Sequence, residues 1–168
     1  MSNIQFLSRL KNADLHAISA ESLLKNELNI EYLKYLRRYT FWDIVANKMS
    51  EIELKDKLSK IASDSYFIIN PNKEEIQWDI KEWIQGDAHT VSIKVSNNHN
   101  SEQPKICEKI KDFFSVDIDS IHRSIVWKMM FNTTVPESKW KSEIVTLNPK
   151  VSGFLAHPVT EKVEQLVL

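Results

Sequence analysis

Ser65-Tyr66-Phe67-Ile68-Ile69-Asn70-Pro71-Asn72-Lys73-Glu74-Glu75-Ile76 recurs near the other end of the chain as Val151-Ser152-Gly153-Phe154-Leu155-Ala156-His157-Pro158-Val159-Thr160-Glu161-Lys162-Val163, with Phe, Pro and Glu in one register. Each copy reads as an apolar run, a turn and a closing extended segment. A second echo lies upstream, where Leu33, Leu36, Arg38 and Trp42 line up with Ile118, Ile121, Arg123 and Trp127. The separation is two residues shorter there than between Phe67 and Phe154. A repeat governs the architecture before any single element does. The economical reading is two diverged copies of one unit, residues 1–86 and 87–168, with Gly86 at the boundary.

Ahead of the first copy of the turn, Ala20, Leu23, Leu24 and Leu28 repeat at helical spacing, with Ser19 as the expected N-cap. Residues 38–46 are aromatic and β-branched on both faces, the pattern of a central strand. Ser50 and Glu53 form a capping box for a helix with a Leu54, Leu58 and Ile61 stripe. Tyr66 to Ile69 reads as a short strand, Asn70-Pro71-Asn72 as a turn and Ile76 to Ile80 as a second extended piece. The opening strand of this half is expected over Asn3 to Leu7.

Beyond Gly86 the pattern restarts. Val91, Ile93 and Val95 alternate with polar residues, predicting a half-buried strand with residues 97–101 as its loop. Ile106, Ile110, Phe113 and Phe114 predict a helix whose first turn tolerates Pro104. Ile121 to Phe131 reads as a long strand. Thr134-Val135-Pro136-Glu137 predicts a second capping box, with Trp140, Ile144 and Leu147 as the stripe and Asn148-Pro149 as the stop. The expected fold class is α+β: two tandem ferredoxin-like repeats of βαββαβ type, their sheets packed by uncovered faces into a pseudo-dimer.

The 168 residues are 42% hydrophobic and 27% charged, within the ordinary globular range. A net charge of -1 argues against a main task of neutralising nucleic-acid phosphates. No apolar segment approaches the roughly 20 residues that cross a bilayer, and the N-terminus lacks a signal-like apolar core, so a cytosolic protein is expected. The single Cys107 sits beside Ile106 and Ile110 and reads as a small core hydrophobe rather than a nucleophile.

Catalytic and cofactor residues are not expected. Only Gly86 and Gly153 are present, too few for a loop whose amides cradle phosphate. His16, His89, His99, His122 and His157 share no metal-ligand spacing. Glu51, Glu53, Glu74, Glu75 and Glu161 fall at helix starts or turns, where carboxylates complement free amides. Arg37, Arg38 and Arg123 stand near strand starts, where an exposed salt bridge is the common role and an anion or partner carboxylate the functional one. Trp42, Trp127 and Trp140 lie on apolar patterns and belong in the core. Trp78 and Trp83 lie amid charge and, with Arg38 and Arg123, are the candidate interface residues.

The stretch from Ala20 to Tyr39 resembles the opening region of large phosphoribosylformylglycinamidine synthases, purine-pathway amidotransferase ligases. Phe154-Leu155-Ala156-His157-Pro158-Val159-Thr160-Glu161 resembles the closing segment of their PurS-type small subunit. The resemblance implies a ferredoxin-like dimer fused into one chain, acting as a scaffold. It implies as partners, in cis or in trans, the synthetase and glutaminase components that perform the ATP-dependent amidation. The chain departs from the family at Arg37-Arg38 and His122-Arg123, where Gly-Lys is usual, and at Asn98 to Pro104, which replaces a loop with Asp-Pro and Gly. A reading from another class is a single-stranded nucleic-acid or regulatory module, since ferredoxin-like sheets with exposed aromatics also stack bases.

Overall fold

A computed structural model of the chain describes residues 1–97, 103–146, 154–157 and 159–167. Its strands are β1 (Ser2–Leu10), β2 (Leu33–Ala46), β3 (Glu74–Gln77), β4 (Thr90–Asn97), β5 (Ser120–Phe131) and β6 (Glu161–Gln165). Its helices are α1 (Leu15–Ser22), α2 (Glu51–Asp64), α3 (Ile80–Ile84), α4 (Gln103–Phe114) and α5 (Glu137–Trp140). α1 and α5 each run on into a wider π-type turn, Leu23–Glu27 and Lys141–Val145. The fold is α+β, with one six-stranded sheet in the order β3-β1-β2-β5-β4-β6. That arrangement is compatible with a ferredoxin-like fold. Among the described residues each half supplies three strands where a βαββαβ unit has four, and these strands share one sheet where two facing sheets were expected.

β1 pairs antiparallel with β2, setting Phe6 opposite Trp42, and with β3, setting Ser8 opposite Ile76. β4 pairs antiparallel with β5, setting Ile93 opposite Trp127, and with β6, setting Val95 opposite Val163. Phe6 and Ile93, Ser8 and Val95, and Ile76 and Val163 lie as far apart in the chain as Phe67 and Phe154 do. Trp42 and Trp127 keep the shorter separation of Arg38 and Arg123. The pairing registers therefore carry the two separations that the sequence echoes show.

The turns before the closing strands are built alike. Asn70 N–H donates to Glu74 Oε2 at 2.7 Å, and Glu74 N–H returns to Asn70 O at 2.7 Å. His157 N–H donates to Glu161 Oε2 at 2.7 Å, and Glu161 N–H returns to His157 O at 3.0 Å. The side chain before each proline accepts from the amide two residues on, Asn72 at 3.1 Å to Asn70 Oδ1 and Val159 at 3.3 Å to His157 Nδ1. The first helix of each half also leaves through a left-handed residue, Asn29 at φ 53 and Ser115 at φ 55. Buried Ile30 and Val116 follow them.

Contacts divide the chain into two units, each with its own core. The first unit spans Met1–Asn12, Thr40–Ile80 and a segment ending at Arg123. Its core joins Phe6, Trp42 and Ile44 to Leu54, Leu58 and Ile61 of α2 and Ile110 of α4. The second unit holds Ala13–Tyr39, a segment beginning at Lys81 that carries β4, and Ser124 onward. Its core joins Ala17, Ala20 and Leu24 to Ile93, Trp127, Trp140 and Ile144. Thus α1 serves the core of β4, and α4 serves the core of β1.

Several local expectations stand. Ser50 caps α2 by accepting from Glu53 N–H at 3.2 Å, and Trp42, Trp127 and Trp140 are buried. Others need correction. Ser19 is not the first cap: Asp14 accepts from His16 and Ala17 N–H at 3.0 and 3.2 Å, so α1 begins at Leu15. Pro136, without a side-chain hydrogen bond, stands at the start of α5 in place of Thr134. Residues 66–69 bend rather than form a strand, because Ser65 Oγ donates to Ile61 O at 2.7 Å and accepts from Phe67 N–H, turning the chain inward. The adjacent Ile68 and Ile69 are then both buried, which a half-buried strand forbids. β3 ends at Gln77, whose Oε1 accepts from Asp79 N–H at 3.0 Å, and Ile80 opens α3 instead of prolonging the strand. β1 is longer than Asn3 to Leu7. Phe113 points to solvent, 74% exposed, and not into the α4 stripe. Gly86 meets a packing need, since a Cβ there would run into the Thr90 side chain. Residues 98–101, Leu147 and Asn148-Pro149 lie outside the described residues.

Candidate interaction surfaces

The two arginines are held by their own units. In the second unit, Arg38 Nε donates to Asp14 Oδ2 at 2.9 Å, and Asp14 is also the α1 cap, so the pair ties β2 to the helix start. In the first unit, the Arg123 guanidinium lies 5.8 Å from the Trp42 ring centroid. The two tryptophans are half-buried. Trp78 of the first unit packs against Phe6, ring centroids 4.7 Å apart, with the Lys55 ammonium 5.5 Å from its ring centroid. Trp83 of the second unit stacks on buried Tyr39 at 5.5 Å and 28°. Its carbonyl accepts from Lys128 Nζ at 2.9 Å, and the same ammonium reaches Gln85 O at 2.8 Å, closing the end of α3. Burial pushes the Lys128 ammonium below its usual range, with Arg37 adding repulsion.

A cleft of about 590 Å³ in the second unit, unforeseen from the sequence, is lined by Leu28 to Tyr32 on one side and Lys139, Ser142 and Glu143 on the other. Asn29 turns the chain into it after the π-type segment, where Leu28 and Ile30 N–H donate back to Leu23 and Leu24. Tyr32 OH donates to Glu143 Oε2 at 2.7 Å, and Lys139 Nζ sits 4.8 Å from the Tyr32 ring centroid. Burial first, and then the Glu143 hydrogen bond and charge, push the Tyr32 phenol well above its usual range. The phenol is a locked neutral donor and Glu143 its acceptor. This is a positioning arrangement and supplies no nucleophile.

Two grooves run beside the closing strands. The one beside β3 measures about 280 Å³ and is lined by Ile69, Pro71, Ile76 and Trp78 among others. The one beside β6 measures about 420 Å³, with Val145, Thr146, Val163 and Gln165 in its lining. Trp78 and Gln165 are separated in the chain as Ile76 and Val163 are. On the other face of β6, Glu164 is bonded by Lys162 at 2.8 Å and by Lys94 at 2.8 Å, and these ammoniums pull its carboxyl down to about 2.

Apolar side chains also stand in solvent on the first helix of each half: Leu15 at 72% and Ile18 at 53% on α1, and Phe113 on α4. Cys107 is half-buried beside the first core, and burial pushes its thiol up. Among the described residues no three His, Cys, Asp or Glu side chains gather as metal ligands, and no helix is long and apolar enough to cross a membrane.

Comparison of the chain with protein-family models, with curated proteins and with solved structures finds no match.

Proposed function

We propose that this chain is a non-catalytic scaffold, a duplicated PurS-like domain or subunit of a phosphoribosylformylglycinamidine synthase or a diverged relative, with repeats over 1–86 and 87–168. The observation that carries the reading is the shared register. Phe6 faces Trp42 as Ile93 faces Trp127, Ser8 faces Ile76 as Val95 faces Val163, and the same carboxylate-closed turn precedes each closing strand. One ancestral unit copied and joined accounts for the strand order and for both sequence separations at once. The resemblance at Ala20 to Tyr39 and Phe154 to Glu161 supplies the family.

In this reading the chain holds the synthetase and glutaminase parts together, and those parts perform the glutamine- and ATP-dependent amidation. Apolar residues standing in solvent suit such a role: Leu15 and Ile18 on α1 and Phe113 on α4. Trp78 and Trp83 are the proposed interface aromatics. Arg123 reaches a partner carboxylate from over Trp42, while Arg38 acts by fixing α1 through Asp14.

The test is reconstitution with cognate synthetase and glutaminase components, or deletion of this segment from the front of a full-length enzyme. Glutamine-dependent formation of the amidine should fall without the chain, and ammonia-dependent formation should fall less. Equal glutamine-dependent rates with and without it would sink the scaffold. So would ATP turnover by the isolated chain that follows the protein through every purification step.

A further inference from the structure

The two outer edges of the sheet are built to the same plan and differ in what they offer. Leu166 N–H donates to Ser92 O at 2.9 Å, and in the register that sets Ile93 opposite Gln165 this phase turns the N–H and C=O groups of Val163 and Gln165 away from β4. The Glu161 carbonyl points the same way, its N–H being taken by His157 O. Among the described residues none hydrogen-bonds to these outward groups. An open edge of this kind is a template for another strand.

We propose that β6 pairs antiparallel with β6 of a second copy of this chain, about a two-fold axis through Val163. The sequence of the strand selects this occupant. Antiparallel pairing of Glu161-Lys162-Val163-Glu164-Gln165 with itself sets Lys162 opposite Glu164 of the second copy, and Glu164 opposite its Lys162. Opposite charges directly across a strand pair stabilise it. Val163 meets Val163 as a hydrogen-bonded pair, exchanging both N–H···O bonds. Gln165 N–H finds the outward Glu161 carbonyl of the second copy, and the reciprocal bond forms across the axis. Both outward groups of Val163, open among the described residues, are thereby used. Lys162, at 68% side-chain exposure, and Glu164, at 41%, are accessible for the exchange.

The groove beside Val163 and Gln165 lies along the same edge, so its apolar lining at Val145 and Val163 is covered as the strands join. The β3 edge provides an internal contrast. Self-pairing about Ile76 would set Glu75 against Gln77 and Glu74 against Trp78, joining no opposite charges. Of the two described edges only β6 is self-complementary, and a closed isologous dimer follows where open polymerisation would need both.

Sedimentation of the full chain from about 10 to about 500 µM tests this, the range suiting an interface smaller than the standard size. A monomer–dimer shift is expected that weakens as salt screens the Lys162–Glu164 pairs. Val163→Pro removes an outward N–H and leaves the β4 ladder intact, so dimerisation should be lost while far-ultraviolet circular dichroism is retained. Lys162→Glu and Glu164→Lys, each alone, set like charges opposite one another and should weaken association at least ~10-fold. An equimolar mixture of these two variants should recover it as a heterodimer. A wild type that stays monomeric throughout overturns the proposal. A dimer that survives both Val163→Pro and each single charge reversal, or a mixture no tighter than its components, overturns it as well.

Discussion

Trp42 Nε1–H donates to Ser8 Oγ at 3.0 Å inside the first core, where Ser8 is 0% and Trp42 2% exposed. The hydroxyl is there for the indole. A buried donor without an acceptor costs its full desolvation, about 1–3 kcal/mol. Ser8→Val, which copies Val95 of the other half, should therefore lower stability by that amount in urea unfolding. Adding Trp42→Phe to Ser8→Val removes the orphaned donor, so the hydroxyl-to-valine change should cost far less in that background. Equal costs in both backgrounds would show that the bond does not stabilise the fold.

Trp127 is 8% exposed on β5, within the core that also holds Ile93, Trp140 and Ile144. Truncation to Ala should cost about 3–5 kcal/mol, because the surrounding core collapses only partly into the space left. A melting temperature within a degree or two of the parent's would contradict that burial.

The paired turns give a matched test. Glu74→Ala and Glu161→Ala each free one backbone N–H, at Asn70 and at His157. Each should lower stability by about 0.5–1.5 kcal/mol in urea unfolding. A loss at one turn only would mean that the shared geometry is not shared energetics.

Tyr32 sets a pH dependence. Its phenol is raised in the folded state by burial and by Glu143, so the folded chain holds that proton more tightly than the unfolded chain does. The associated stability is complete below the ordinary tyrosine range near ~10 and is lost as pH rises beyond it. Absorbance titration should show folded wild type and folded Tyr32→Phe forming the same number of phenolates in that range, Tyr32 contributing none. Stability of Tyr32→Phe should fall less steeply above that range; the same slope in both proteins would remove Tyr32 from the effect.

Much of the local structure was readable because it rests on neighbours in sequence. Ser50 and Glu53 are close enough for the cap to be read directly, and the alternation around Val91 to Val95 did become β4. The misreadings share a cause. Asp14 displaced Ser19 as the cap of α1 because it also holds Arg38, a residue 24 positions away. The apolar run at residues 66–69 has strand composition, yet Ser65 folds it back over the end of α2, so burial of both Ile68 and Ile69 overrode propensity. α3 is five residues long, below what periodicity can register.

By itself the sequence determined most of the strands and helices, α3 and the bend at residues 66–69 excepted, and that its two closing turns match, since hydrophobic period and turn chemistry act over a few residues. Tertiary structure alone decided that α1 joins the core of β4 while α4 joins that of β1. An apolar stripe specifies that it must be covered and carries no address for its cover. The same holds for the Tyr32–Glu143 bond, which spans 111 residues. It holds equally for the sheet edges, where the strand order leaves β3 and β6 outermost, because edge position follows from which strands pair and not from the composition of either.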